Sequence, residues 1–327
     1  MTVVAGIDEP GYGPLLGPLV VAASAFRLEP GAKEGDLDRI TTEKTVRKKG
    51  LPTADSKQLY SSGGSLARLE TSTLGHLALG RGSLPVRVAG LLAGAVDLTT
   101  AELDELPWYA QGGRRDDEDT PPLLATPLPA TAPVDEILER AAWHEQHLAK
   151  RGARFLDLWI APVPEPRFNR HTSAAGTKAW TLFHTTGRLI ETLVMRFPDD
   201  ELVIHVDRQG GRIHYGDLLQ TFFPLAPLTT VREKPARSIY RLDWPGRSPV
   251  EIDFRVKADD RRAPVALASV AAKLTRELFM GSLNAWFAAK RPELRPTAGY
   301  GNDGKRFADE VAPLLKGKLR EKFVRCR

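Results

Sequence analysis

Three apolar stretches, far apart in the chain, each run into acidic residues, and this recurrence narrows the possible folds more than any other feature. Thr2 to Ile7 leads into Asp8 and Glu9, Glu201 to Val206 into Asp207, and Val250 to Val256 into Asp259 and Asp260. Clusters of Val, Ile and Leu between turn residues read as strands. A carboxylate ending a buried strand costs several kcal/mol to desolvate unless a cation or hydrogen-bond donors compensate. For Asp8 and Glu9 taken alone, a solvated turn is the simpler reading. Three separate elements ending this way point instead to carboxylates gathered at strand ends of an α/β sheet, where functional groups collect. Asp260, just ahead of a helix start, reads as a capping acid.

The rest of the chain alternates between strand and helix patterns. The turn Pro10 to Gly17 separates the first strand from a second apolar run, Pro18 to Phe26. Further strands are expected at Arg154 to Val163, Leu228 to Lys234 and Ser238 to Trp244. Helices are expected at Thr177 to Phe197, at Pro264 to Lys290 and at Asp135 to Lys150, from three- and four-residue apolar spacing and from Pro and Asp near their starts. This pattern predicts one α/β domain, 1–327, with a mixed central sheet flanked by helices. Residues from about 62 to 150 read as an insertion within it. They include an acidic cluster, Asp116 to Asp119, and a proline-dense stretch, Pro121 to Pro133. There, His144 and His147 read as a solvated helix face, and Trp108 and Trp143 as local packing.

Bulk properties fit a soluble, cytoplasmic protein, because no apolar run approaches the roughly 18 residues of a membrane span. The only cysteine is Cys326, so neither a disulfide framework nor a zinc site of cysteines is available. The chain carries 46 Lys and Arg against 41 Asp and Glu, a net charge of +5, which suits a polyanionic partner. Hard divalent cations prefer oxygen ligands, and a pair about 3.5 to 4 Å apart can clamp a phosphodiester undergoing hydrolysis. Acids without accompanying His or Cys clusters favour Mg2+ or Mn2+ over zinc.

The residues also resemble a known family. Gly6-Ile-Asp-Glu-Pro-Gly-Tyr-Gly-Pro14, followed by Gly17-Pro-Leu-Val-Val-Ala-Ala23, is similar to the N-terminal signature of the type 2 ribonucleases H, the ribonuclease HII and HIII group. Ala54-Asp-Ser-Lys-Gln-Leu59 resembles that family's Asp-Ser-Lys-x-Leu segment. His205-Val-Asp207 resembles its third-acid strand, and Val256-Lys-Ala-Asp259 with Ala268-Ser-Val-Ala-Ala-Lys-Leu-Thr-Arg276 its fourth acid and following helix. Phe168-Asn169 and Gly299-Tyr300-Gly301 match more loosely. The matches keep family order across most of the chain outside 62–150.

The resemblance implies a ribonuclease H-like fold and metal-dependent cleavage of the RNA strand of RNA/DNA hybrids, or of ribonucleotides embedded in duplex DNA. It makes Asp8, Glu9, Asp207 and Asp259 the catalytic metal ligands for two Mg2+ or Mn2+ ions, with Asp8 bridging both. One ion would activate water and the other would stabilise the leaving 3′ oxygen. The same resemblance assigns Gly11, Tyr12 and Gly13 to the ribonucleotide-sensing turn, Lys57 to a phosphate and Tyr300 to a sugar. Lys178, Lys257, Arg261, Arg262, Lys273 and Arg276 stand near the inferred site, and several are expected to face a duplex.

Two departures matter. The family turn is Gly-Arg-Gly in the HII branch and Gly-Thr-Gly in the HIII branch, where this chain has Gly11-Tyr12-Gly13. A tyrosine cannot replace the bidentate phosphate contact of an arginine, although Gly amides can still reach a 2′-hydroxyl. Pro10 also removes one N–H donor from the turn. Two competing readings follow: a non-catalytic nucleic-acid-binding protein that keeps the fold, and a related metal nuclease acting on DNA junctions or structured RNA.

Overall fold

The computed structural model describes residues 1–10, 12–61, 63–110 and 122–326. Among these residues, seven strands form one sheet in the order β3-β2-β1-β4-β7-β6-β5: β1 (Thr2–Asp8), β2 (Leu19–Leu28), β3 (Ala153–Val163), β4 (Glu201–Asp207), β5 (Leu228–Lys234), β6 (Arg237–Leu242) and β7 (Val250–Arg255). β2 is antiparallel to both β1 and β3, whereas β1, β4 and β7 run parallel to one another, and β5 and β6 complete an antiparallel edge. Joining parallel strands requires a crossover, and the helices between β3 and β4 supply one. This is the mixed, helix-flanked sheet that the sequence predicts.

Strand alternation divides the core in two. Val3, Ala5 and Ile7 of β1, Leu202, Ile204 and Val206 of β4, and Val250, Ile252 and Phe254 of β7 share one apolar layer with the helices Glu165–Ala175 and Lys178–Arg196. Val4 of β1 and Val20, Ala22 and Phe26 of β2 face the opposite layer, under the helices Ala67–Arg81, Val134–Ala149 and Ala263–Lys290. A period of two then puts Gly6 and Asp8, His205 and Asp207, and Asp253 on the 263–290 side.

Gly6 is where that helix crosses β1. A Cβ there would stand 2.2 Å from the Val265 nitrogen, so only glycine permits this approach. Ser24 Oγ donates to the Pro264 carbonyl at 2.7 Å from the adjacent strand. The helix start is therefore pinned two residues from Asp8. Its first amide, Ala263 N–H, is held by Asp38 at 2.9 Å, and Asp260 is exposed and not its cap. That corrects the capping role read for Asp260: a carboxylate 225 residues upstream reaches the site first.

The 178–196 helix begins as predicted, Thr177 Oγ1 accepting from Ala179 N–H at 3.2 Å. The Ala67–Arg81 helix has no legible counterpart in the sequence pattern, because its buried side chains include Glu70, Thr71, Ser72, Thr73 and His76. Glu70 is satisfied by the backbone amides of Ala130, Thr131 and Ala132. This helix and Val134–Ala149 both join the core beside the sheet. Consequently His144 is buried, its Nδ1 accepting from Leu51 N–H at 3.3 Å, and does not lie on a solvated face. His147 is half-buried, stacked on Trp143 and facing Glu43. Trp108 packs among Trp286, Phe287 and Phe323. The acidic cluster 116–119 lies outside the described residues. Among the described residues, no helix is long and apolar enough to cross a membrane.

Candidate active site

The parallel register of β1 and β4 aligns Ile7 with Val206, so their next residues, Asp8 and Asp207, end neighbouring strands at the same edge. β7 pairs Arg255 with Asp207 on the other side. The chain then turns through Lys257, in the left-handed region at φ +53°, and reaches Asp259. Asp207 Oδ1 accepts from Ala258 N–H at 2.7 Å, which ties the Asp259 turn to β4. Three strands that are remote in sequence thereby deliver three acids to one place.

Within this edge the acids raise one another's pKa only in part. Burial, then repulsion from Asp207 and Asp259, pushes the Asp8 carboxyl up to about 7, against a partly offsetting bond from Ser269. Glu9 is raised well above its ordinary value by burial and by Asp8, Asp207 and Asp259. Asp207 is pushed up to about 6, mainly by burial, with Asp259 adding repulsion and Ala258 N–H opposing. Asp259 is raised by burial and then by Asp55. Such a set holds its protons more tightly than free carboxylates do, with Lys57 only partly offsetting the repulsion, and a divalent ion would relieve it.

The donor set suits a hard cation, being oxygen throughout. Among the described residues, no group of three or more His, Cys, Asp or Glu is already drawn close enough to hold a metal ion. The four acids share an edge and a field without sharing one coordination sphere.

Around them, Lys57 is exposed on the turn helix Ser56–Leu59, whose cap is Asp55, with Lys57 N–H donating to Asp55 Oδ1 at 3.0 Å. Its ammonium pKa is raised by Asp55 first, then by Asp259, Asp8 and Asp207, so it faces the cluster. Ser269 Oγ stands 3.1 Å from Ser56 Oγ and links this turn to Asp8. Ser269, Ser56 and Asp55 are site neighbours to which sequence reasoning gave no role. All three lay inside the quoted motifs, but nothing in a linear motif says that a serine two turns into a helix reaches back to a strand end.

Tyr12 is half-buried, with Lys178 Nζ 5.0 Å from its ring centre. Gly13 is exposed, and Gly11 lies outside the described residues. A cavity of about 280 Å³ beside this turn is lined by Tyr12, Gly13, Lys178, Gly301 and Arg325. Tyr300 is 41% exposed above the Arg276 guanidinium, 4.8 Å from ring centre to Cζ. Of the basic residues expected near a duplex, Lys257 and Arg261 are exposed. Arg276 is not: it is fully buried. Arg262 is engaged by Glu34 and Asp38, and Lys273 by Glu277. A cation inside the core needs local partners, which explains why these three serve the scaffold.

The raised acids predict a pH and metal dependence of stability. Their folded pKa values exceed the ordinary carboxylate range, so between about pH 4 and 7 the folded state holds more protons than the unfolded one. In chelator, stability therefore falls as pH rises through that window. Mn2+ or Mg2+ at pH 8 should restore it, and the midpoint of thermal unfolding measured with and without metal checks this. A midpoint indifferent to metal at pH 8 contradicts the expectation.

Neither a family model nor a curated protein matches this chain. Solved structures do. A ribonuclease HII from Archaeoglobus fulgidus, in complex with PCNA, is 17% identical over 99% of this chain and 94% of its own, with a TM-score of 0.43. The ribonuclease H2 of Pyrococcus horikoshii is 14% identical over 98% and 99%, with a TM-score of 0.39. Bst-RNase HIII, in complex with Mn2+, is 14% identical over 99% of this chain and 66% of its own, with a TM-score of 0.42. At these values the likeness carries no functional weight, and the reading of the site rests on its own geometry. The strand order and directions make this an α/β chain with a mixed seven-stranded sheet flanked by helices.

Proposed function

We propose that this chain is a divalent-metal-dependent endonuclease that hydrolyses the RNA strand of RNA/DNA hybrids, or ribonucleotides embedded in duplex DNA. The observation that supports it is the edge where parallel strands set Asp8 beside Asp207 and the Ala258 N–H draws in the Asp259 turn, so that Asp207 and Asp259 push up the pKa of Asp8 and all three that of Glu9. Maintaining a buried Asp8 among three partly buried acids is unfavourable for a binding scaffold, and phosphate would be repelled from them without cations. The acids would hold two Mg2+ or Mn2+ ions. Bound there, such ions supply Lewis-acid polarisation of the phosphate and a more acidic water.

The chain's own residues do the rest. Ala258 N–H fixes Oδ1 of Asp207, so that carboxylate keeps a defined orientation, and the Ser269 hydroxyl lowers the pKa of Asp8. Lys57 offers an exposed ammonium to a phosphate oxygen. The exposed face of Tyr300 offers an apolar surface to a sugar. Gly13 N–H, beside no Cβ, can approach a 2′-hydroxyl closely.

The test is to map cut positions on a duplex with one ribonucleotide, a duplex with a ribonucleotide tract and an all-DNA duplex, in Mg2+ and in Mn2+. Cleavage confined to ribonucleotide-containing strands is expected. Binding without cleavage in either metal would indicate a non-catalytic binder, and cleavage of the all-DNA or a junction substrate a different nuclease.

A further inference from the structure

Tyr12 and Tyr300 belong to turns almost 300 residues apart, yet the two turns form one unit. Leu15 and Leu16 N–H both donate to the Gly299 carbonyl, at 2.8 and 3.2 Å. Beneath them, Arg276 Nη2 donates to the Leu16 carbonyl at 3.2 Å and to the Ala298 carbonyl at 2.9 Å. Gly299 adopts φ +83°, and a Cβ there would stand 2.6 Å from the Leu16 oxygen, so the turns meet backbone to backbone.

A third segment closes on the pair. Arg325 N–H donates to the Leu15 carbonyl at 3.0 Å, and Arg325 Nη2 donates to the Tyr12 carbonyl at 2.8 Å. Asn169 holds this segment in place, its Nδ2 donating to the Val324 carbonyl and its Oδ1 accepting from Cys326 N–H, both at 2.8 Å. The Arg325 guanidinium lies 4.0 Å over the Phe168 ring and is 2% exposed. Burial and the neighbouring Arg276 bring its pKa down to about 10, with buried Glu165 opposing that.

We infer that Arg325 is a positioning residue of the site proposed above, fixing the Tyr12–Gly13 peptide plane so that Gly13 N–H faces the ribose of the substrate. The physics is that of a planar trans peptide, in which the carbonyl and the following N–H point in opposite directions. Holding the Tyr12 oxygen inward on a buried guanidinium aims the Gly13 N–H outward, at the exposed side of the turn. Gly13, having no Cβ, would otherwise let that plane rotate. The brace thus supplies the rigidity that Gly-Tyr-Gly lacks by itself, and it acts on recognition of the sugar and not on the acids.

This inference rests on the proposed nuclease reading. The experiment compares Arg325→Ala, Arg325→Lys and Asn169→Ala with wild type in steady-state cleavage of a hybrid and of a duplex with one ribonucleotide. For Arg325→Ala, misorientation of one sugar contact should raise KM about tenfold, with kcat changed less than about threefold. Arg325→Lys, which keeps one donor, should recover most of that loss. Asn169→Ala releases the segment without touching the buried charge and should shift KM the same way if Arg325→Ala does not fold. The Mn2+-induced rise in unfolding temperature should be unchanged in every folded variant, which a loss of general structure would not leave intact. Unchanged KM in the variants, or a fall in kcat together with the metal response, overturns the assignment while wild-type cleavage still upholds the function. A wild type that cuts neither substrate removes the function and the assignment together.

Discussion

Asp8→Asn should abolish cleavage while making the metal-free protein more stable. The loss in kcat is expected to be at least about 10³-fold, since the substitution removes charge stabilisation worth several kcal/mol in the transition state. The gain follows from the same carboxylate. Its pKa is displaced from 3.8 to about 7, so at neutral pH its ionised form costs on the order of 4 kcal/mol. Removing that charge also eases Glu9, whose value Asp8 pushes upward. In chelator at pH 8, the unfolding midpoint should rise by about 5 °C or more, and the added stabilisation by Mn2+ should shrink. Cleavage and calorimetry on one preparation check both halves. A variant that cuts at the wild-type rate ends the two-metal proposal.

The second large effect is expected at Asp253, which touches no part of the cleavage chemistry. It is fully buried on β7 and receives Arg237 through two bonds, at 2.8 and 2.9 Å, and Arg255 at 3.2 Å. His205 Nδ1 lies 3.1 Å from it, and His205 Nε2 lies 3.0 Å from Glu34. Burial alone would raise the Asp253 pKa, but His205 and Arg237 outweigh it and hold the carboxyl well below its ordinary range. Burial alone would lower His205, and bonds to Asp253 and Glu34 outweigh it in turn, so the imidazole stays protonated above its usual value. Asp253→Ala leaves these cations without their common anion. The expected loss is about 3 to 5 kcal/mol, read from denaturant unfolding.

Its pH dependence follows from the two directions. The contribution of Asp253 is present above about pH 4 and disappears only as pH falls through its depressed folded value. That of His205 is complete below about pH 6.5 and is lost as pH climbs through its raised value. The deficit of Asp253→Ala should therefore be widest between those limits and narrow in alkali. A deficit below about 1 kcal/mol at pH 6 would mean that the network is worth no more than a surface ion pair.

Much of the scaffold was legible because local patterns and tertiary demands agree. The 178–196 helix carries its Thr177 cap, and 263–290 has a proline in its first turn. β1, β4 and β7 are apolar runs bounded by turn residues, and β4 and β5 fall where their sequences place them. The Ala67–Arg81 helix was illegible for a matching reason. Its buried face includes Glu70 and His76, which are tolerable only because Ala130 to Ala132 and Ser72 supply partners. His144 is the same case, buried through a contact with Leu51 that lies 93 residues away.

The sequence by itself determined that acids terminate three separate apolar strands and that no cysteine or histidine cluster competes for a cation. It did so because strand propensity and charge are properties of single residues and short windows. Only the tertiary structure decided which carboxylates share a field. Parallel register set Asp8 beside Asp207, Ala258 N–H drew in the Asp259 turn, and helix 263–290 brought Ser269 to Asp8. It also decided that Arg276 and Arg325 are buried braces and not duplex contacts. The energy of a charged group is fixed by whatever surrounds it, and in this chain those surroundings come from segments up to 313 residues away.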